Sequence, residues 1–308
     1  MNLLHISNYD IDESKIHHEY HIRSYKENEA TKEDYAWADV VVGKVDANML
    51  KYGENIKYIQ LETAGNDLFI SKVKEDQILC NASGSFGVAI SEYVIGSLLM
   101  MYRHLHTYYD YKKAHEWKKQ INIKTISNQR VLIVGTGDLG SECAKRFQAM
   151  NAYVVGISLS GKNKPYFNEV YDNSMLEKEL ALCDVVVLTL PKTKDTDYYF
   201  KKEYYDLMKK DSVLINVGRG SLLSLDGLVD AIEQHKIAGA ILDVYEQEPL
   251  AKNHRLWDLE NVFMTPHISG TFHSSDAYER YLKILYTNLE AYRLNQPLLN
   301  VVDLKKEY

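Results

Sequence analysis

The sequence predicts an α/β protein with two domains, each built on a parallel sheet. Short apolar, β-branched runs alternate with segments of helical periodicity along the chain, which is typical of parallel sheets with helices on their faces. One such run ends in a glycine-rich hexad that opens a helix. The 308 residues are enough for two domains with sizeable cores.

The composition is that of an ordinary globular protein, with 45% hydrophobic and 26% charged residues. A formal net charge of −7 argues against nucleic-acid or anionic-membrane partners, which favour basic faces. Cys80, Cys143 and Cys183 form no CxxC pair and no zinc spacing, so we expect a reduced, cytoplasmic protein. No apolar run approaches the ~20 residues that span a bilayer, and no histidine–carboxylate cluster predicts a metal site.

The first third predicts a parallel sheet with short helices. Helices are expected at 31–38 and 47–54, with Thr31 and Asp46 as caps. Because parallel sheets bind ligands beyond the carboxyl ends of their strands, the loops 62–67 and 81–85 are candidate ligand loops. The predicted strands are 3–7, 40–43, 58–61 and 78–81.

A long helix is predicted from about Val88 to beyond Tyr108, crossing between the domains. Its apolar face has helical spacing and consists of Val94, Leu98, Met101 and Leu105.

The hexad Gly135-Thr136-Gly137-Asp138-Leu139-Gly140 follows the predicted strand 131–134. A strand, a glycine turn and a helix in this order predict a Rossmann-like dinucleotide site. Gly135 permits the tight turn, Gly137 lets backbone approach a pyrophosphate, and Gly140 lets the helix pack on the strand. The helix N-terminus offers free N–H groups to the phosphates.

Five further strands are predicted downstream, at 153–157, 185–190, 213–217, 240–244 and 262–265. The residues at their carboxyl ends are Ser158, Pro191, Arg219, Asp243 and His267. A helix from about Ser275 is expected to end before Pro297, and the apolar segment 298–304 is expected to pack back onto the first domain.

Ser158 stands where NAD-preferring folds place an acidic residue on the adenosine ribose. Ser160, Lys162 and Lys164 follow it without a carboxylate. Hydroxyls and a lysine would accept a 2′-phosphate that an acid repels. We therefore favour NADP over NAD, the alternative being an ordinary solvated loop.

Three residues are candidates for chemistry, each with a structural alternative. Arg219 lies between glycines after a strand, and its guanidinium suits a carboxylate next to a carbonyl, although surface arginines often form plain salt bridges. Glu248 is one of three neighbouring carboxylates, any of which is merely solvated in the alternative. His267 is one of 11 histidines; beside a carboxylate it would act as a general acid, because that partner favours imidazolium.

These motifs give the chain a family resemblance. The hexad and the stretches 216–220, 243–249 and 265–270 follow one another as in the D-isomer-specific 2-hydroxyacid dehydrogenases. The resemblance covers nearly the whole chain, including 65–67 and 91–94 in the first third. The loop 62–67 has no basic residue, which disfavours a phosphorylated substrate.

The resemblance implies an NAD(P)-dependent reductase of small 2-oxo acids. Arg219 would bind the substrate carboxylate and carbonyl oxygen, His267 would exchange the proton, and Glu248 would hold the histidine. Ala64 and Gly65 would offer backbone N–H groups to the carboxylate. The expected coenzyme contacts are Gly135, Gly137, Asp138, Leu139, Gly140, Ser158, Ser160, Lys162, Pro191, Thr196, Val217, Gly218, Arg219 and Asp243.

The predicted architecture is two Rossmann- or flavodoxin-like domains with a cleft between them. The substrate domain would comprise 1–97 and 275–308, and the dinucleotide-binding domain 98–274. The family resemblance implies a homodimer. The alternative function is a coenzyme-sensing binding protein of the same fold, which keeps the three catalytic residues but does not need them.

Overall fold

The computed structural model describes all residues from Met1 to Tyr308. The chain divides into two compact units: unit 1 comprises Met1–Phe86 and Phe272–Tyr308, and unit 2 comprises Gly87–Thr271. Unit 1 is thus discontinuous in sequence. The substrate and coenzyme roles expected of two such domains stay predictions.

Twelve strands and eight α-helices form the two units. The strands are β1 (Asn2–Ile6), β2 (His21–Tyr25), β3 (Val40–Gly43), β4 (Tyr58–Leu61), β5 (Ile78–Cys80), β6 (Arg130–Val134), β7 (Tyr153–Ile157), β8 (Glu169–Tyr171), β9 (Val185–Leu188), β10 (Val213–Asn216), β11 (Gly239–Leu242) and β12 (Val262–Met264). The helices are α1 (Lys32–Trp37), α2 (Gly87–Tyr102), α3 (Leu105–Lys113), α4 (Asp138–Ala149), α5 (Leu176–Leu180), α6 (Tyr204–Leu207), α7 (Leu225–Glu233) and α8 (Ser275–Arg293).

Unit 1 contains a five-stranded parallel sheet in the order β2-β1-β3-β4-β5. The C-terminal segment completes it. Val302 belongs to the buried core, and Val301 forms an antiparallel bridge with Cys80. Tyr281, Leu285 and Leu289 of α8 are buried, as the apolar face of the predicted helix indicates. The expected return of 298–304 to this domain is confirmed.

Unit 2 contains a seven-stranded parallel sheet in the order β12-β11-β10-β9-β6-β7-β8. The strand order reverses between β6 and β9, and in open α/β sheets this switch point is where ligands bind. The central strands β6 and β9–β11 are almost wholly buried, which explains their continuous apolar runs. The parallel-sheet architecture predicted for both domains is confirmed.

Two helix predictions are wrong. The expected helix at 47–54 is only a 3₁₀ turn, Leu50–Tyr52, which ends at Gly53, because glycine is a poor helix former. The expected long helix is divided into α2 and α3 by His104, whose φ of 53° is left-handed and interrupts the helical hydrogen bonds. Leu105, which was predicted to lie on the apolar face of this helix, is 53% exposed.

Strands β2 and β8 escape sequence analysis because they lie at the edges of their sheets. All five β2 residues are exposed or half-buried, and β8 has only three residues, so neither has an apolar run. The predicted Thr31 cap is confirmed, since Thr31 and Asp34 form a capping box at α1.

Candidate active site

The glycine turn lies at the switch point of the unit 2 sheet, between β6 and α4. Gly135 has a φ of +108°, and a side chain at Gly140 would place a Cβ 1.9 Å from the Gly135 carbonyl oxygen. A Cβ at Gly137 would meet no atom within 4 Å. The turn therefore requires glycine at two positions and leaves open space at the third, where a pyrophosphate fits. Asp138 and Leu139 begin the first turn of α4.

Two side chains brace this turn. The Thr189 hydroxyl donates to the Val134 and Gly135 carbonyls at 3.0 and 2.9 Å. Lys164 Nζ donates to the Thr136 carbonyl oxygen at 2.7 Å. Lys164 thus lies against the glycine turn, and its ammonium is engaged by the backbone there.

Ser158 directly follows β7, on the same sheet edge as the glycine turn. Its hydroxyl is buried and has no hydrogen-bond partner, although buried polar groups are normally paired. Ser160 and Lys162 follow on the surface, where Lys162 N donates to Ser160 Oγ at 3.4 Å. An unpaired hydroxyl beside an open glycine turn fits the ribose end of a dinucleotide.

The loop after β9 closes on itself. Thr196 Oγ1 donates to the Pro191 carbonyl oxygen at 2.6 Å and accepts from Thr193 N at 2.8 Å. Pro191 and Thr196, both expected coenzyme contacts, are therefore in one compact turn at the carboxyl edge.

Arg219 lies in a turn that the Asn216 side chain shapes. Asn216 Nδ2 donates to the Arg219 carbonyl oxygen at 2.9 Å, and Gly218 N donates to Asn216 Oδ1 at 3.2 Å. A Cβ at Gly220 would lie 1.9 Å from the Tyr245 carbonyl, so glycine is required. Val217 is buried and Arg219 half-buried. The backbone of Arg219 is thus fixed at the carboxyl end of β10, and its Nη1 donates to the Gly218 carbonyl oxygen at 2.8 Å.

The structure assigns different environments to the three neighbouring carboxylates. Asp243 is buried, and its two oxygens accept from Thr265 Oγ1 at 2.6 Å, Ile268 N at 2.9 Å and Ser269 N at 3.0 Å. Glu246 accepts from Leu225 N at 2.7 Å, at the start of α7. Of the three, Glu248 alone bonds to the imidazole ring of His267. Asp243 therefore orders the segment that bears His267.

Glu248 and His267 form the pair that the sequence suggested. Glu248 Oε2 lies 2.8 Å from His267 Nδ1, and Glu248 Oε1 accepts from Tyr245 N at 3.0 Å. His267 is half exposed. Since Nδ1 faces the carboxylate, Nε2 is the ring nitrogen left to meet a ligand. The pair has the orienting group and the free ring atom that general acid–base chemistry requires.

Ala64 and Gly65 lie on unit 1, in the loop that follows β4. Ala64 is exposed and Gly65 is half-buried. The loop is tethered by Ala82 N, which donates to the Thr63 carbonyl oxygen at 2.9 Å, and by Asn66 Nδ2, which donates to the Glu307 carbonyl oxygen at 3.0 Å. Backbone N–H groups on an ordered loop suit anion binding.

Sequence analysis missed the residues that support the site. Thr265 Oγ1 donates to Asp243 and lies 2.7 Å from the Tyr93 hydroxyl. Burial raises the pKa of Tyr93 to about 12, so this hydroxyl stays neutral. Thr265 could have been predicted as a supporting residue, because it lies two positions before His267 in the sequence. Tyr93 could not have been predicted, because it lies far from Thr265 and His267 in the sequence.

The structure was also searched for metal sites and for membrane-spanning helices. No group of three or more His, Cys, Asp or Glu side chains is arranged to hold a metal ion. No helix is long and apolar enough to cross a bilayer.

Comparisons with known proteins identify the family of this chain. The profile of the family described as "D-isomer specific 2-hydroxyacid dehydrogenase, NAD binding domain" matches residues 95–269. A glyoxylate/hydroxypyruvate reductase of Arabidopsis thaliana is 32% identical over 234 residues, which are 74% of this chain and 69% of the relative.

Solved structures resemble the whole chain. A D-isomer-specific 2-hydroxyacid dehydrogenase family protein of Aeromonas salmonicida has a TM-score of 0.89 at 28% identity, covering 98% of this chain and 99% of that one. A probable 2-hydroxyacid dehydrogenase of Rhizobium etli, solved with NADP, HEPES and L(+)-tartaric acid, has a TM-score of 0.81 at 25% identity, covering 100% and 99%. The chain therefore belongs to the D-isomer-specific 2-hydroxyacid dehydrogenase family.

Proposed function

We propose that this protein reduces a small 2-oxo acid to the D-2-hydroxy acid with NADPH as the coenzyme. The observation that carries the proposal is the His267–Glu248 pair, with 2.8 Å between Nδ1 and Oε2. Arg219 and the glycine turn lie at the same carboxyl edge of one parallel sheet. An acid, a cationic fork and a dinucleotide turn together form the constellation that carbonyl reduction needs.

Arg219 would bind the substrate through its carboxylate and carbonyl oxygen. A guanidinium donates two parallel N–H groups, which match the two adjacent oxygens of a 2-oxo acid. Ala64 and Gly65 would add backbone N–H groups from unit 1. Fixed donors aimed at the carbonyl oxygen stabilise the negative charge that develops there during reduction.

His267 would deliver the proton. Glu248 accepts the hydrogen bond of Nδ1 and thereby fixes the orientation of the ring. Nε2–H then protonates the oxygen as negative charge develops on it, and the same atom takes the proton back in the oxidative direction. When bound, the nicotinamide coenzyme supplies the hydride that reaches C2 of the substrate.

The region after β7 supports NADPH over NADH. The unpaired Ser158 hydroxyl offers a hydrogen bond, and no carboxylate lies between Gly156 and Phe167 to repel a 2′-phosphate. Lys162 is exposed next to it. The Rhizobium etli relative was solved with NADP.

The decisive experiment is coenzyme oxidation against glyoxylate, hydroxypyruvate, pyruvate, branched-chain 2-oxo acids and phenylpyruvate, with NADPH and NADH in parallel. Turnover with a clear NADPH preference is expected. Turnover that prefers NADH would retain the reductase and reject the coenzyme assignment. Tight coenzyme binding without turnover of any acid would reject the reductase in favour of a coenzyme-sensing protein.

We also propose that two copies of the chain associate through the 105–123 arm, which comprises α3 and the segment after it. The arm exposes several large apolar side chains: Leu105, Tyr109, Trp117, Ile121 and Ile123. Trp117 is 99% exposed, which is unusual for an indole. Sedimentation should give twice the chain mass, and Trp117→Glu should shift it to the monomer. A wild-type monomer at micromolar concentration would contradict this proposal.

The thiols support a reducing, cytoplasmic compartment. Cys80, Cys143 and Cys183 are buried and free, and burial raises each thiol pKa to about 12. None is a ready partner for a disulfide.

A further inference from the structure

A cavity of about 570 Å³ opens on unit 1 at the carboxyl ends of β1 and β2. This volume is in the range of small-molecule sites, and the carboxyl ends of parallel strands are where open α/β sheets bind their ligands. Two buried polar side chains, His5 and Ser7, line the cavity together with residues of the segments 9–14 and 24–29. The residues assigned to the proposed reductase site do not line it.

His5 and Ser24 lie side by side in the sheet of unit 1. They are register partners of the parallel pair β1–β2, so their side chains leave the same face. His5 Nδ1 lies 3.4 Å from Ser24 Oγ, and this hydroxyl donates to Glu13 Oε1 at 3.5 Å. A serine hydroxyl has one hydrogen. Because Ser24 gives its hydrogen to Glu13, it accepts from His5, and Nδ1 carries the proton of the imidazole.

The other ring nitrogen, His5 Nε2, is therefore an acceptor, and it has no hydrogen bond to the protein. His5 is 4% exposed, and burial lowers its pKa to about 4 against the charge of Asp10, so the ring is neutral. Ser7 is already paired, because its hydroxyl donates to Glu62 Oε2 at 2.8 Å and accepts from Tyr9 N at 3.1 Å. Since buried polar atoms are normally paired, the free lone pair of Nε2 beside a cavity indicates a ligand with a hydrogen-bond donor.

The rim of the cavity is acidic. Four exposed carboxylates line it: Asp10, Asp12, Glu13 and Glu29. Two ammonium groups offset part of this charge, that of Lys26 in the rim and that of Lys15, whose Nζ lies 3.7 Å from Asp12 Oδ2. Four carboxylates against two ammonium groups leave an excess of two negative charges. The side chains of Tyr9 and Tyr25 also line the cavity, and aromatic faces attract cations as carboxylates do.

These features distinguish between the classes of ligand. The excess negative charge of the rim repels an anion. No group of three or more His, Cys, Asp or Glu side chains is arranged to hold a metal ion. An apolar ligand would leave the lone pair of His5 Nε2 buried without a donor, which costs free energy. A cation with N–H donors satisfies both the carboxylates and the imidazole.

We propose that this cavity binds a small organic cation with N–H donors, such as an alkyl diamine. One ammonium group donates to His5 Nε2, and the carboxylates of the rim balance the charge. The two positive charges of a diamine equal the excess negative charge of the cavity. This binding needs neither coenzyme nor 2-oxo acid, so it is tested in their absence, and its failure is distinguishable from failure of the proposed reductase.

The test compares 1,4-diaminobutane with its fully N-methylated analogue. The two compounds have the same two charges and the same carbon chain, but only the diamine has N–H donors. Titration calorimetry near neutral pH and at constant ionic strength measures each Kd. The diamine should bind saturably, and the methylated analogue should bind at least about tenfold more weakly. In protein with nitrogen-15 histidine, the NMR signal of His5 Nε2 should shift on titration with the diamine and saturate with the same Kd.

Three variants separate the hydrogen bond from the charge of the rim. His5→Phe keeps a planar ring without an acceptor, so it should weaken diamine binding about tenfold and leave binding of the methylated analogue unchanged. Asp10→Asn, at an exposed position, should weaken binding of both cations by a similar factor of about three. Glu54→Gln removes an exposed negative charge of unit 1 outside the cavity and should bind as the wild type does.

Equal Kd values of the two compounds for the wild type would overturn the inference, because charge alone would then explain the binding. Absence of saturable diamine binding would overturn it as well, as would a diamine Kd that is the same in His5→Phe and the wild type. A weaker diamine in both His5→Phe and Asp10→Asn, with Glu54→Gln unchanged, would support it.

Discussion

The backbone of His267 has an unfavourable conformation. Its φ of 53° lies in the left-handed region, which costs a non-glycine residue free energy and recurs at functional sites. Its N–H donates to the Asp243 carbonyl oxygen at 2.9 Å, and the next N–H, of Ile268, donates to the Asp243 carboxylate. The buried aspartate thus holds a conformation that aims the imidazole at Glu248.

His267→Gln should abolish most turnover while leaving coenzyme binding intact. Glutamine cannot act as a proton donor at this position, and loss of a general acid typically costs 10²–10⁴-fold in rate, here about 10³-fold. Steady-state kinetics measure the first effect and coenzyme fluorescence titration the second. His18→Gln, at an exposed position in unit 1, is the matched control and should behave as the wild type. Retained turnover in His267→Gln would contradict the assigned role.

Ser158→Asp should reverse the coenzyme preference. A carboxylate at the end of β7 would bond the ribose hydroxyls of NADH and repel the 2′-phosphate of NADPH. The ratio of kcat/KM for the two coenzymes should move by about tenfold or more towards NADH. Ser127→Asp, at an exposed position before β6, adds the same charge elsewhere and should leave the ratio unchanged. An unaltered ratio in Ser158→Asp would show that this position does not contact the ribose.

At the scale of elements, the backbones of the glycine turn and of helix α4 approach so closely that they limit which residues fit between β6 and α4. A Cβ at Gly140 would lie 1.9 Å from the Gly135 carbonyl oxygen, whereas a Cβ at Gly96 in α2 would meet nothing within 4 Å. The same substitution therefore has opposite effects at the two positions.

Gly140→Ala should lower the free energy of unfolding by about 1–3 kcal/mol through overpacking and weaken coenzyme binding. Gly96→Ala should raise it by up to about 1 kcal/mol, because alanine is the better helix former. Denaturant unfolding of the two variants beside the wild type measures both signs. Equal stability of the two variants would rule out the close approach at Gly140.

Elements with strong apolar runs or glycine turns could be predicted, and those without could not. Strands β6 and β9–β11 are buried on both faces, so their sequences contain little but apolar residues. The helix break at His104 could not be predicted, because it depends on a left-handed residue that is neither glycine nor proline.

The site follows the same rule. Arg219, Asp243 and His267 lie just beyond strands, where parallel-sheet geometry brings them to one edge. The bond between Tyr93 and Thr265 joins residues far apart in sequence, and hydroxyls are too common to mark such a pairing. The burial of Glu62 was hidden as well, since it comes from packing that no local pattern shows.

At the scale of the whole molecule, two buried groups of unit 1 give stability opposite pH dependences. Burial lowers the pKa of His5 from 6.5 to about 4, so its contribution to stability is present above pH 6.5 and is lost as the pH falls towards 4. Burial raises the pKa of Glu62 from 4.5 to about 7, so its contribution is present below pH 4.5 and is lost as the pH rises to 7.

His5→Gln should therefore flatten the acid side of the stability profile. Between pH 6.5 and pH 4, the wild type should lose about 2–3 kcal/mol more free energy of unfolding than the variant. Urea unfolding across this range, followed by a probe in unit 1, measures the difference. Glu62→Gln should flatten the interval from pH 4.5 to pH 7 instead, which separates the two groups. Parallel profiles for the wild type and His5→Gln would contradict the burial of a neutral imidazole.

The discontinuity of unit 1 has a consequence for biosynthesis. A ribosome releases the chain from the N-terminus, so the first five strands emerge early, but α8 and Val302, which complete their core, emerge last. Unit 2 is continuous and has all its strands once Thr271 has left the exit tunnel. The second unit can thus fold during translation before the first, whose apolar sheet faces stay uncovered until α8 and Val302 have been made. Nascent chains of this protein are therefore most exposed to chaperones and proteases through their oldest residues.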